Sequence, residues 1–373
     1  PNSRGRADGK PATLFLTRRG RCMSHAVDRR LDELLDRAEE GRSCLVLSQD
    51  ESRLRRALSR RVATGELTSP TAGLFVQTEA WLALRPDARA RFLAHGLQRL
   101  HPDWVFCGPT AALAYGIDVS FPLLGSIHLA TPPGEHGGLR GIVTRHPVLG
   151  REAAGGIEVA DGLRVTSPEQ TVLDCLRWTD FPHGLGVADS ALRKAVTGRA
   201  ELERYAARHL RGMPGTRRAL DTLSWADPRS ENGGESIARA RMLMLGYVCP
   251  ELQVEVPRVI EGGGPYRADF CWVRADGLVI LGELDGKVKY TEEEFMGGRD
   301  LEEVLSDENV RGSRLTLYDV SLMRFRFGVT ASPALFSAVL DEYGVPRRGS
   351  ALALPEGTPM IPDWDRLRRN LPH

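Results

Sequence analysis

Tyr266-Arg267-Ala268-Asp269-Phe270-Cys271-Trp272-Val273 and Leu278-Val279-Ile280-Leu281-Gly282-Glu283-Leu284-Asp285-Gly286-Lys287 decide how the last third of the chain reads. Aromatic and β-branched residues crowd both stretches, the composition of strands, and the second is nearly unbroken apolar sequence until Glu283. An ionised carboxylate at the end of a buried strand is costly unless it is paired or bound to a cation. Asp269, Glu283 and Asp285 therefore each require a partner. If the two stretches are neighbouring strands, the two-residue period puts Glu283 and Asp285 on one face, and Asp269 converges on them from next door. Hard oxygen ligands of this kind suit Mg2+ or Mn2+, which can lower the pKa of a bound water and neutralise a phosphate under attack. Lys287 would stabilise the charge that develops. The same residues also read as an Asp285-Gly286 turn closing a hairpin with the acids at its rim, and spacing alone leaves both readings open.

Working outward, residues 226–234 (Ala-Asp-Pro-Arg-Ser-Glu-Asn-Gly-Gly) have linker chemistry and set a boundary. A helix from Glu235 to Leu245 follows, with Glu235 in its first turn and Gly246 as its stop. Leu252 to Val259 alternates as a strand does. Before the boundary, 81–225 reads as a mixed α/β middle region with strands at 126–131, 141–146 and 163–166. A helix at 168–178 is announced by Ser167-Pro168-Glu169-Gln170. His128, His136 and His146 match no ligand spacing and read as ordinary surface histidines.

The N-terminal part is built differently. Val27, Leu31, Leu34, Leu35 and Ala38 mark one face of a helix that stops at Gly41. A second helix across 53–63 carries Leu54, Ala57, Leu58 and Val62 on one side and Arg53, Arg56 and Arg60 on the other. A hairpin across 67–76 completes what reads as a winged helix-turn-helix over 25–80, with the arginine face turned to double-stranded DNA. Residues 1–24, rich in Arg, Gly, Pro and Ser, read as a basic flexible arm, and 347–373 as a C-terminal tail. The expected class is thus multidomain α/β. A winged helix comes first, then the mixed α/β middle region, then an α/β domain over 226–346 with a central mixed sheet.

At 373 residues the chain exceeds what one core usually organises. Its 27% charged residues balance to a net +1, so attraction to nucleic acid must come from local charge. Six cysteines, scattered singly, fit neither a zinc site nor a disulfide scaffold and point to reduced thiols in a cytoplasm. No apolar run is long enough for a membrane span. The acidic stretch 291–308 reads as a solvated helix face.

Tyr266 to Phe270 and Gly282 to Tyr290 resemble the PD-(D/E)XK nuclease superfamily, closest to its subgroup similar to very-short-patch-repair endonucleases. The resemblance implies a Glu on the opening helix, here Glu235, and an Asp on one strand, here Asp269. It further implies a Glu-x-Asp-Gly on the next strand, here Glu283 with Asp285, and a helix with Glu308 and Arg311. Ser321 to Phe325 would be a last strand and Pro333 to Tyr343 a closing helix. The usual Glu-x-Lys places lysine where this chain has Asp285, with its own lysine at 287. The stretches 55–67, 73–76, 108–113 and 165–168 resemble abortive-infection antitoxin regulators of the AbiEi type.

Two functions follow from these resemblances. One is metal-dependent hydrolysis of DNA, with Asp269 and Glu283 on the metal, Asp285 or Glu235 completing the shell or acting as base, and Lys287 beside them. The other is an antitoxin-type regulator that binds operator DNA through Arg53, Arg56 and Arg60 and keeps the last domain as a non-cleaving scaffold. Phage defence or a toxin–antitoxin system is the setting implied. A homodimer would suit an operator of two half-sites.

Overall fold

Leu31, Leu35 and Ala38 recur at helical spacing and are buried, which fixes the inward face of the first helix, α1 (Leu14–Glu40). The computed structural model describes residues 14–47, 51–148, 156–258, 264–274, 276–285, 313–348 and 361–369. They form an α/β protein with three sheets, divided into two compact units. Residues 1–106, 124–153 and 157–165 make the first unit, and 107–123, 154–156 and 166–373 the second. Strands and helices of the middle region thus belong to different units.

In the first unit, α1 is followed by β1 (Leu45–Val46), α2 (Ser52–Ala63), β2 (Leu67–Thr68) and β3 (Leu74–Gln77). The helix reaches back to Leu14, into the segment expected to be a flexible arm. Past Pro11 only Gly20 opposes it, at a cost of about 1 kcal/mol. The three strands pair antiparallel in the order β1-β3-β2. Ala57 and Leu58 of α2 join Leu31, Leu35, Leu45 and Leu67 in one core. Glu51 stands at the N-cap of α2 without a side-chain bond, and Gly65, at φ +80, lets the chain turn back after the helix.

Next come α3 (Thr78–Ala83) and α4 (Pro86–Leu100). A Cβ on Gly96 of α4 would lie 2.9 Å from Leu74 and 3.2 Å from Cys44, so glycine here permits close helix–sheet approach. The larger sheet is built from β4 (Val105–Phe106), β5 (Ile127–Ala130), β6 (Gly138–Arg140), β7 (Val143–His146), β8 (Ile157–Ala160) and β9 (Leu163–Thr166). Its order is β6-β7-β5-β4-β9-β8, with β5–β7 and β4–β9 parallel and β4–β5 and β6–β7 antiparallel.

The second unit contains α5 (Gly108–Ala114), α6 (Pro168–Trp178), α7 (Phe181–Arg193), α8 (Arg199–His209), α9 (Thr216–Ser224) and α10 (Gly233–Met244). Ser167 caps α6 by accepting the Gln170 N–H at 3.3 Å. Helices α7 and α10 pack against each other, and a Cβ on Gly186 would stand 3.8 Å from Gly233, in ordinary contact. Their seam holds an ion pair out of water: Arg239 donates to Asp189 at 2.7 Å and to the Trp225 carbonyl at 2.8 Å. Asp189 also accepts the Asp227 N–H at 2.7 Å. The two side chains are 0% and 2% exposed.

From α10 the chain enters β10 (Glu251–Val256), β11 (Tyr266–Val273), β12 (Val279–Asp285) and β13 (Val320–Arg326), then α11 (Pro333–Glu342) and α12 (Trp364–Leu367). The order is β10-β11-β12-β13, antiparallel twice and then parallel between β12 and β13. One face packs Phe270, Trp272, Ile280, Met323 and Phe325 against Ala238 and Met242 of α10 and Phe336 and Leu340 of α11. The other buries Cys271, Val279 and Leu281 with Leu315 and Tyr318, and Trp364 and Leu367 of α12 pack on it. Each large side chain so buried contributes roughly 1.5–3 kcal/mol. Among the described residues no helix is long and apolar enough to cross a membrane.

Removing one partner of the Asp189–Arg239 pair leaves the other charge buried. R239M is therefore expected to lower unfolding free energy by about 3–5 kcal/mol in urea titrations, while D189N combined with R239M recovers part of the loss. A midpoint unchanged in R239M would show that the pair contributes nothing net.

Candidate functional site

The segment read as a linker ends in a helix cap. Asn232 accepts the Glu235 N–H at 3.0 Å, and the Glu235 carboxylate reaches back to the Asn232 side-chain amide and to the Glu231 N–H, the latter at 2.8 Å. Asn232-Gly233-Gly234-Glu235 is legible as a capping pattern, a signal that the linker reading passed over. Gln253 of β10 adds a fourth bond, donating to Glu235 at 3.2 Å. Glu235 is 3% exposed, and burial, followed by the negative charge of Asp269, pushes its carboxyl up to about 7.

Gln253 holds φ +51, a left-handed conformation unusual for a non-glycine residue inside a strand and costing on the order of 1–3 kcal/mol. Its effect is visible in the packing. Leu252 belongs to the core under α10 and α11, whereas Val254 and Val256 belong to the core on the opposite face. The partner strand switches in the same place, with Phe270 on the first face and Ala268 on the second. Leu252 pairs with Phe270 and Val254 with Ala268, so the exchange falls at Gln253 and Asp269. Asp269 accepts the Leu284 N–H at 2.8 Å, which ties it to β12 between Glu283 and Asp285.

Glu283 and Asp285 share one face of β12, as the two-residue period requires, and meet Arg324 of β13 there. The Arg324 Nε stands 3.2 Å from Glu283 and its Nη2 3.3 Å from Asp285. Parallel pairing sets Glu283 and Arg324 side by side in register. Among the described residues, no group of three His, Cys, Asp or Glu is arranged to hold a metal ion. An Arg324 nitrogen stands against an oxygen of Glu283 and of Asp285, and an Asp269 oxygen holds a backbone N–H. Lys287, the acidic stretch 291–308, and Glu308 and Arg311 within or beside it lie outside the described residues.

On α2, Arg53, Arg56 and Arg60 are exposed. Arg56 donates to its own helix at the Ser52 carbonyl, 3.4 Å away, and Arg60 stands 3.6 Å from Asp28 of α1. Arg61, next along the helix, turns inward to Asp32 at 2.6 Å and Glu66 at 3.4 Å. Arg53 and Arg56 therefore present the outward charge, and Arg61 locks the helix in place.

His136 is exposed, in keeping with the surface reading, whereas His128 and His146 are partly buried. His128 and His146 lie on β5 and β7 with ring nitrogens 2.9 Å apart, and burial pushes His146 down to about 4. Burial also raises the thiols of Cys44 and Cys271 to about 12, which leaves them inert as nucleophiles at neutral pH. In α6, Asp174 pairs with Arg177 at 2.8 Å, both buried.

These features define a multidomain α/β protein, and its central segment, residues 104–224, matches the family model of the AbiEi antitoxin C-terminal domain. The match takes in two of the stretches that carried the resemblance, 108–113 and 165–168, and runs from β4 through α9. The uncharacterized protein Rv2248 of Mycobacterium tuberculosis, and its counterpart MT2308 in a second strain, are each 30% identical over 218 residues, covering 58% of this chain and 74% of theirs. The chain belongs to the family of these mycobacterial proteins.

The Glu235 carboxyl gives a test by pH. Its folded pKa, about 7, lies above the ordinary 4.5, so its contribution to stability is complete below about 4.5 and is lost as pH rises through about 7. The wild type is expected to lose on the order of 3 kcal/mol relative to E235Q between pH 4.5 and 8, read from urea midpoints. Parallel pH profiles for the two proteins would show that Glu235 is not the titrating group.

Proposed function

We propose that the protein is a DNA-binding regulator of the abortive-infection antitoxin kind, with a C-terminal nuclease-like domain that binds or scaffolds without cleaving. The observation that carries this reading is the AbiEi antitoxin match over 104–224. The N-terminal elements support it. A helix, a short strand, an arginine-faced helix and a hairpin, with strand order β1-β3-β2, follow the plan of a winged helix. One helix stands between β1 and β2 among the described residues, so α2 would serve as the recognition helix without the usual companion before it. Arg53 and Arg56 would contact phosphates or base edges of duplex DNA, and Arg60 would join them by leaving Asp28.

The C-terminal part follows the PD-(D/E)XK plan in its order of elements: an opening helix, three antiparallel strands, then a strand parallel to the third. Arg324 on Glu283 and Asp285 favours a domain that keeps this fold without hydrolysis. Two copies on two half-sites would complete an operator complex.

The test is duplex binding by fluorescence anisotropy across a salt series, using DNA from upstream of the protein's own gene. Wild type is expected to bind with a steep salt dependence, and R53A with R56A to flatten the slope of log K against log salt by about 2. Supercoiled plasmid with Mn2+ is expected to stay uncut. Absence of duplex binding at low salt would overturn the regulator reading. Cleavage lost in both D269A and E283A would overturn the non-cleaving one.

A further inference from the structure

The acidic end of β12 poses an electrostatic problem that the chain solves internally. The Glu283 side chain is 8% exposed and a second carboxyl group, that of Asp285, stands two residues along on the same face, so a positive charge stabilises this point. A divalent ion is one way to supply it, and a guanidinium is another. Arg324 is placed for the second by register. It lies directly beside Glu283 on the parallel strand, and its planar head spans both acids, Nε on Glu283 and Nη2 on Asp285. Guanidinium nitrogens carry only donors and do not deprotonate in proteins, so Arg324 cannot itself ligate a metal. Arg324 holds one oxygen of each acid, so an ion bridging Glu283 and Asp285 through those oxygens would displace it, and an ion on the other oxygens would face the repulsion of its charge.

We propose that Arg324 is the resident cation of this site, and that it keeps divalent ions off Glu283 and Asp285. This deepens the non-cleaving reading above and rests on it: the nuclease-like domain is held inactive by one of its own side chains. Arg324 is 34% exposed, so the lock sits at the surface, where its removal opens the acids to solvent ions.

The experiment is Mn2+ titration of the full chain, following the signal of free Mn2+ by electron paramagnetic resonance. Wild type is expected to take up no Mn2+ at this site, and R324Q to bind it at least about tenfold more tightly. R324K, which keeps a positive charge, should stay with the wild type. Adding E283Q to R324Q should abolish the gain. If R324Q is less stable than wild type, Mn2+ is expected to restore its Tm while leaving that of the wild type unmoved. The proposal is overturned if folded R324Q gains no affinity, or if wild type binds Mn2+ and E283Q removes the binding. Should R324Q fail to fold even with Mn2+, the wild-type and E283Q titrations decide alone, absence of uptake supporting the lock. Duplex binding through α2 is measured on the same preparations and should be unchanged in R324Q, so a failure of DNA binding is told apart from a failure of the lock.

Discussion

Asp189 and Arg239 are two opposite charges held out of water in the seam between α7 and α10, and the geometry of the second unit depends on their staying together. Arg239 sets one terminal nitrogen on Asp189 and the other on the Trp225 carbonyl, which ties the position of α10 to both. With α10 fixed, its N-terminus places Asn232 and Glu235 beside Gln253, and its apolar face meets Phe270 and Trp272. The pair also joins two stretches of chain: α7 lies within the segment matched by the AbiEi antitoxin model, and α10 lies beyond it and leads into the four-stranded sheet. A buried ion pair is weak evidence of net stability, but it penalises any arrangement in which one partner is misplaced.

Much of the fold was legible because local period and capping decide it. The strands at 266–273 and 278–285, the helix at 168–178 behind Ser167, and the arginine-faced helix at 53–63 all appear within a residue or two of their expected limits. What the sequence did not yield depends on partners far along the chain. The order of the six-stranded sheet, where β4 lies beside β9, follows from packing between segments some 60 residues apart. That Glu283 and Asp285 each need a partner is legible in the sequence. Which partner is not, since Arg324 looks like any outward residue of a last strand until parallel pairing sets it beside Glu283. Gln253 was missed for a related reason: the alternation of Leu252 to Val256 reads as a regular strand, and nothing local reveals the left-handed backbone within it.

The balanced charge of the chain is likewise resolved by register. Arg61 and Arg324 are spent on acids of their own unit, while Arg53 and Arg56, on the same helix as Arg61, remain outward. Side chains of one type thus face an acid or face outward within the one helix α2. Composition cannot separate these roles, because they differ only in which acid faces each arginine.

The exchange of faces at Gln253 and Asp269 has a further consequence for how the sheet tolerates change. Because both strands switch at the same rung, β10 and β11 behave as two short ribbons spliced end to end with opposite sidedness. A one-residue slip in an ordinary strand inverts every side chain beyond it. Here the splice already contains such an inversion, matched on both strands, so a compensated insertion at this rung would be absorbed more readily than one a few residues away. Asp269 therefore stands at the joint of the sheet, where the two cores meet.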